Sequence, residues 1–361
     1  MRCSVLVGVA IAASAASFAG CKGRFALPPD ARFVREVAVS ETFACARMKD
    51  GSVRCWGAND AGQLGDGTVT DRHEAVRVAA ATPFTAVATG AHHACAITAD
   101  GDVYCWGAND AGQAGGASDA PRVPRLTPGR VDVGHARALA LGARHSCALL
   151  EGGAVRCWGA DQAGQVTGAS GASGATAIAA GADATCIIDG ERRAACWGAV
   201  PGRLSTSYGR IEGLADVTNI AVGPRHACAA RAWGGVACWG SGAEGQLGNG
   251  AFADQGTPVE VGGLAAPVKS VVAGRSHTCA SLSDDTVRCW GANAASQLAD
   301  GTKAHRASAF QVQGVFEAVK IAAAGDATCA VLGDGSARCW GGLPLPKTDV
   351  VPVVVPTEVR W

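Results

Sequence analysis

Fourteen cysteines fall into seven pairs, each pair ten positions apart: Cys45 with Cys55, Cys95 with Cys105, Cys147 with Cys157, Cys186 with Cys196, Cys228 with Cys238, Cys279 with Cys289 and Cys329 with Cys339. Trp and Gly follow the second cysteine of every pair, from Trp56-Gly57 to Trp340-Gly341. Seven of the nine tryptophans therefore sit at one position of a recurring unit. The second cysteine returns at intervals of 50, 52, 39, 42, 51 and 50 residues. Such spacing means seven copies of one supersecondary unit, each of which buries its surface against its neighbours.

The unit has a readable local chemistry. An apolar segment rich in small residues leads in, such as Val271-Val272-Ala273-Gly274. A hairpin follows, clearest where Lys49-Asp50-Gly51 separates Ala44–Met48 from Ser52–Trp56. Asp-Gly between two alternating runs is a strong hairpin signal. The midpoint of Cys45 and Cys55 is position 50, which suits a three-residue loop with Gly51 in the left-handed conformation. The two cysteines then stand opposite each other, with Cβ atoms about 4.5–5.5 Å apart, close enough for a disulfide after slight adjustment. The readings that compete are seven pairs of buried free thiols in a reducing compartment, or zinc. Zinc hairpins place their cysteines only about two to four residues apart. A polar Gly-rich loop, such as Asn59–Gly67, and a short Pro-containing strand, such as Pro258–Val261, complete the unit.

Four short strands per unit, seven times over, predict an all-β, seven-bladed β-propeller of four-stranded blades. The string Gly-x-x-His-x-Cys-Ala, a hairpin, then Cys-Trp-Gly-x-Asn-x-x-Gly-Gln-Leu-Gly resembles the repeat of the regulator of chromosome condensation family, in its alpha-tubulin-suppressor-like bacterial branch. The resemblance covers residues 34–361 and implies the same seven-bladed fold. Two units depart from it. The third ends in a Gly/Ala/Ser tract from Gly168 to Ala175, and the fourth runs Val200-Pro201-Gly202-Arg203-Leu204 with no long loop. Those blades are expected to be shorter on one rim. The segment Val34–Val39 is expected to pair with the last Pro-containing strand, Val351–Val355, and so to close the ring without exposed edges.

The first twenty residues read as an export signal: Arg2, then an apolar run from Val5 to Ala16, too short to span a membrane. Phe18-Ala19-Gly20-Cys21 resembles the lipobox of bacterial lipoproteins, which implies acylation of Cys21. Lys22, where an Asp would retain such a protein at the inner membrane, points to the outer membrane or cell surface. Residues 21–33, with Pro28-Pro29, read as a tether, and 34–361 as the propeller. Export, an even cysteine count and cross-strand geometry together favour disulfides. Lys plus Arg, 31, balance Asp plus Glu, 31, which argues against a nucleic-acid binder. A hydrophobic content of 48% argues against disorder.

Several side chains could carry function. His93, His145, His226 and His277 each stand two residues before the first cysteine of a hairpin. A ring of imidazoles could hold a metal, but the resemblance makes this a framework histidine bonded within its own blade, and no metal or other cofactor is expected. His92, Arg144 and Arg225, one position earlier, are freer to face a ligand. Asp50, Asp100, Glu191, Asp284 and Asp334 occupy hairpin tips, where such turns favour Asp. Arg54, Arg156, Arg288 and Arg338 lie two residues before the motif Trp, so a cation–π contact along one strand face is expected. The loops 59–67 and 293–301 lack the ligand spacing of calcium loops. Trp233 breaks the pattern: it occupies a hairpin tip where other repeats carry small or acidic residues. Exposed aromatics favour protein or sugar contacts. Tyr208 and Phe252, in irregular loops, are candidates of the same kind.

No catalytic constellation emerges, so the chain is expected not to be an enzyme. The leading expectation is a monomeric, lipid-anchored propeller that binds an envelope or extracellular protein through its rim loops. The resemblance brings interaction roles, including inhibition of β-lactamases by secreted propellers. The nucleotide-exchange activity of eukaryotic relatives is not carried over to an exported chain. A carbohydrate-binding surface protein, resting on Trp233 and Tyr208, is the alternative, and a propeller hydrolase or lyase is a more distant one.

Overall fold

A computed structural model describes residues 33–115, 122–202, 207–342 and 353–359. The export signal, Cys21 and the tether up to residue 32 lie outside the described residues, as do Val351 and Pro352. The first blade shows the plan. Val34–Val39, Phe43–Met48, Val53–Gly57 and Arg72–Arg77 form a four-stranded antiparallel meander in sequence order. Five further sheets repeat it over residues 86–131, 175–210, 217–260, 268–311 and 318–358, and a sixth, over 136–159, has its first three strands. The first strands of all seven blades are neighbours around a central opening, and the first blade meets the seventh. The fold is the predicted all-β, seven-bladed propeller.

The hairpin register is the one the cysteine spacing implies. Cys45 stands opposite Cys55, Cys95 opposite Cys105, Cys147 opposite Cys157 and Cys186 opposite Cys196. Cys228 faces Cys238, Cys279 faces Cys289, and Cys329 faces Cys339 in the same way. Gly51 adopts φ 79°, a conformation that costs a residue with a Cβ, and the Met48 amide donates to the Ser52 carbonyl across the turn. All seven pairs are joined as disulfides, with Cα atoms 4.0–4.1 Å apart. Neither free thiols nor a zinc site remains as a reading of these fourteen cysteines. The disulfides suit an oxidising compartment. No helix among the described residues is long and apolar enough to cross a membrane.

Hydrophobic burial lies between blades rather than within them. Seven apolar clusters form, one at each blade boundary. Both faces of the middle strands are therefore covered, which explains why Phe43–Met48 and Ala227–Ala230 show no polar alternation. Alanine is abundant there because neighbouring sheets approach closely.

Three expectations need correction or sharpening. First, the ring does not close by strand exchange. Val34–Val39 pairs with Phe43–Met48 of its own blade, and Val353–Glu358 pairs with Ala337–Gly341. Each lead-in is the innermost strand of the hairpin that follows it, so seven lead-ins serve seven hairpins and none is left over. The seam is sealed by face packing of Val34, Val37 and Val39 on Ala327 and Val331, and by a hydrogen bond from the Val34 amide to the Gly335 carbonyl at 2.8 Å. Charge reinforces it. The Glu36 carboxylate reaches Lys320 of the last blade at 3.0 Å, Arg47 of its own at 3.5 Å, and the Val87 amide of the second at 3.1 Å. Glu41 also pairs with Arg275, over the top of the seventh blade.

Second, the irregular units lose structure at the outer edge. The third blade has three strands among the described residues, with a short 3-10 helix, Thr167–Gly171, after its third strand. The fourth strand of the fourth blade is only Gly209–Arg210. Third, no cation–π contact of the kind expected between Arg54 and Trp56 occurs among the described residues. Arg288 and Arg338 instead donate to the carbonyls of Gly263 and Gly314, in the connections from the preceding blades, at 2.9 and 2.7 Å.

Candidate functional site

The propeller presents two rims. One carries the turns between first and second strands and the long Gly-rich loops. The other carries the hairpin tips. On the first rim the opening has a volume of about 260 Å³ and is lined largely by small residues, Gly90, Gly142, Gly181, Gly223, Gly274 and Gly325 among them. A Cβ on Gly142 would lie 2.3 Å from His145 Nδ1 and 2.5 Å from the Gly181 carbonyl, so the blades can meet there only through glycine.

The four repeat histidines are fully buried and bond to the next blade, not to their own. His93 Nε2 meets Ser146 Oγ at 2.8 Å, His145 meets Thr185 Oγ1 at 2.8 Å, His226 meets Thr278 Oγ1 at 2.8 Å, and His277 meets Thr328 Oγ1 at 2.7 Å. Ser146 Oγ and Thr278 Oγ1 donate to the carbonyls of Gln113 and Gln246, both at 2.9 Å. Each hydroxyl must then accept from its histidine, which places the proton on Nε2 of His93 and His226. Nδ1 of all four rings is buried without a partner. Burial pushes the pKa down to about 3 for His93 and His277 and to about 4 for His145 and His226; a neighbouring histidine adds to this at His93 and His277. The rings are neutral latches. At the other three boundaries Phe43, Ala184 and Ala327 share clusters with Ala94, Ala227 and Ala44. A histidine thus appears where the next repeat offers a hydroxyl, a signal readable in the sequence that single-repeat reasoning misses.

The motif tryptophans are the second latch. Trp106, Trp158, Trp197, Trp290 and Trp340 donate from Nε1 to the carbonyl of a Gln in the preceding blade's long loop, at 2.9–3.0 Å. Trp239 is buried with its Nε1–H unpaired, because the fourth blade has Val200-Pro201-Gly202 in place of that loop.

The long loops satisfy themselves. Asn59 Oδ1 accepts from the Leu64 amide, and its Nδ2 donates to the carbonyls of Thr68 and Thr70. Burial works against the Asp66 carboxylate, but hydrogen bonds from Thr68, Arg72 and Asn59 outweigh it and hold its pKa below the ordinary value. At the hairpin tips Asp50, Asp284 and Asp334 accept from the Ser or Thr two residues on, so their acidity is turn chemistry. Among the described residues no group of three or more His, Cys, Asp or Glu could hold a metal.

The sequence candidates do not form one cluster. His92, Arg144 and Arg225 lie on the turns beside the central opening, and all three are exposed. Arg144 is paired with Asp110 of the preceding blade's loop; Arg225 faces the blade that lacks that loop and has no carboxylate partner among the described residues. Tyr208 packs on Trp197, ring centroids 6.0 Å apart, and is half-buried. Phe252 is exposed on a long loop of the fifth blade. Trp233 stands on the opposite rim, 63% exposed, with the Arg231 guanidinium 5.9 Å from its ring. It borders a groove of about 360 Å³ lined by Val261, Leu264, Ala266 and Pro267. Arg231 is held there by Glu260 at 3.1 Å.

A disulfide-stapled ring of seven blades, latched by His–hydroxyl and Trp–carbonyl bonds, defines a rigid repeat propeller. Profiles of the Regulator of chromosome condensation (RCC1) repeat match residues 34–63, 84–113, 136–165 and 268–297, and in a second form 50–97, 100–149 and 234–281. These matches take in more than half of the chain, which belongs to the RCC1 repeat family. They skip residues 166–233, where the fourth blade lies. The Ultraviolet-B receptor UVR8 of Arabidopsis thaliana is 25% identical over 321 residues, spanning 79% of this chain and 71% of the receptor. Prp20p of Saccharomyces cerevisiae has the same fold at 18% identity, TM-score 0.72, over 88% of this chain and 84% of Prp20p. Human WBSCR16 does so at 16% identity, TM-score 0.73, over 86% and 94%.

Proposed function

We propose that the chain is an exported propeller scaffold, anchored through an acylated Cys21, that binds another protein through its rim and performs no catalysis. The observation that carries the binding reading is Trp233: a 63% exposed indole beside an apolar groove and an Arg–Glu pair. Large aromatics flanked by apolar surface and a polar rim are the usual anchors of protein interfaces. The fold relative Prp20p has binding properties to Gsp1p and histones and is bound by Kap60, which supports a propeller of this family as an interaction platform. Seven disulfides support an oxidising destination outside the reducing cytosol.

Two experiments test this. Oxidised protein, wild type and Trp233→Ala, serves as bait in envelope extract, and bound material is analysed for proteins and glycans. A defined protein lost with Trp233→Ala supports the reading. Glycan alone would replace it with carbohydrate binding. For the anchor, Cys21→Ser should move the protein from the membrane to the soluble envelope fraction; unchanged fractionation would remove the lipid.

A further inference from the structure

The third blade ends on a sheet edge that carries no fourth strand among the described residues, with the short helix Thr167–Gly171 lying beside it across a groove. Its last strand, Val155–Gly159, pairs with His145–Leu150 on one side and, among the described residues, with no strand on the other. In the first blade the equivalent strand is covered: Cys55 pairs with Val76, and the Val53 carbonyl accepts from the Val78 amide at 2.9 Å. The fifth, sixth and seventh blades repeat that last bond with Val261, Val312 and Val359. No described residue makes such a bond to Val155. Exposure follows. Val53, Cys55, Trp56 and Gly57 are buried, whereas Val155, Cys157, Trp158 and Gly159 are all partly exposed and Arg156 fully so. A groove of about 610 Å³ runs along the edge, walled by Val133, Trp158, Val166 and Ala169.

Unpaired strand edges template further strands, and natural proteins cover or charge them unless they are used. This edge bears one charge, Arg156, which has no ion-pair partner among the described residues. At the same position of the covered blades the fourth strand sets Glu358 opposite Arg338 and Glu260 opposite Ala237, but also Gln311 opposite Arg288 and Arg77 opposite Arg54, so the preference for a carboxylate rests on the unpaired charge of Arg156 itself.

We propose that the edge of the third blade takes an extended segment of a protein partner as its fourth strand, antiparallel to Val155–Gly159, with a carboxylate opposite Arg156. This goes beyond the rim reading, because the edge lies on the third blade and Trp233 on the fifth, and it shares with that reading only the premise that the chain binds a protein. Backbone hydrogen bonds to the Val155 carbonyl and to Cys157 supply the docking, and the groove receives the alternate apolar side chains. The occupant is therefore an extended acidic–apolar peptide, of the kind this chain already uses in Gln255–Val261.

The probe is a labelled synthetic peptide, Gln-Gly-Thr-Pro-Val-Glu-Val, titrated into the oxidised full-length protein by fluorescence anisotropy, with amide NMR reporting on Cys157. Binding at sub-millimolar to millimolar concentration, with the Cys157 amide shifted, is expected. Replacing the peptide Glu by Gln, or Arg156→Glu in the protein, should weaken it about tenfold, the scale of one charge-assisted hydrogen bond. Arg156→Glu alters an exposed side chain and should leave folding intact, which the unchanged NMR spectrum of the other blades verifies. Methylating the peptide amide of the Val that follows Glu should abolish binding, because that amide corresponds to the one that bonds the edge carbonyl in the covered blades. No binding at millimolar peptide, or equal binding of the methylated peptide, overturns the proposal. In envelope capture, a partner retained equally by wild type and Arg156→Glu overturns the edge while leaving protein binding in place. Capture of no protein by either overturns the broader reading, and the peptide titration still decides whether the edge accepts a strand.

Discussion

Lowering the pH from 7.5 to 5 should destabilise this propeller far above the range in which its carboxylates titrate. His93, His145, His226 and His277 are buried neutral, with pKa values pushed down to about 3 or 4. The unfolded chain takes up a proton at each near the ordinary value of about 6.5. Below that value the unfolded state therefore binds more protons than the native state. The stabilisation is complete above about pH 6.5, falls as the pH drops toward 4 and 3, and is flat below. At pH 5 the gap to the unfolded value is about 1.5 pH units, or about 2 kcal/mol for each histidine and about 8 kcal/mol for four. That matches the whole stability of many domains, about 5–15 kcal/mol. The Asp carboxylates held below their ordinary values, such as Asp66 and Asp300, lose their contributions only below about pH 4, so the two windows separate. Equilibrium urea unfolding with disulfides intact, at pH 7.5, 6 and 5, measures the effect. The double variant His226→Phe with Thr278→Ala recreates the boundary where Phe43 meets Ala94 and should lose about 2 kcal/mol less than wild type over the same pH interval. A wild-type protein equally stable at pH 7.5 and 5, or a double variant with an unchanged pH dependence, would refute the latch reasoning.

Three further outcomes follow from the same geometry. Trp290→Phe removes a donor to the Gln246 carbonyl and should cost about 1 kcal/mol more than Trp239→Phe, whose indole has no partner to lose; thermal unfolding compares them. Glu36→Ala strands the Val87 amide and unpairs Lys320, so it should destabilise by about 2 kcal/mol, and wild-type stability should fall between low and high salt more than that of the variant. Thiol alkylation of the denatured, unreduced protein should leave the fourteen paired cysteines unlabelled, and reduction should expose them all; removing one pair, Cys186→Ala with Cys196→Ala, should cost about 2–4 kcal/mol in chemical unfolding.

Much of this molecule is local, and what is local is legible in its sequence. Cysteines ten apart around Asp50-Gly51 place Cys45 opposite Cys55, because a tight turn sets the register of its own two strands, and repetition of that unit sets the number of blades. The same rule carries through to Cys105, Cys238, Cys289 and Cys339, each opposite the cysteine ten residues before it. The acidic tips and Asn-rich loops are equally readable as turn chemistry, since their partners lie within a few residues. What only the tertiary structure decided lies mostly tens of residues away along the chain, across a blade boundary. The histidines bond to the following blade, and Arg288 and Arg338 reach carbonyls in the connections that precede their blades. Tyr208, within its own blade, turns onto Trp197. Ring closure belongs here too: Val34–Val39 satisfies its backbone within its own hairpin and closes the circle by its faces and by Glu36. The open edge of the third blade is visible only as a missing partner. A sequence declares which strands it can form, but a strand left unpaired is a property of the assembled sheet.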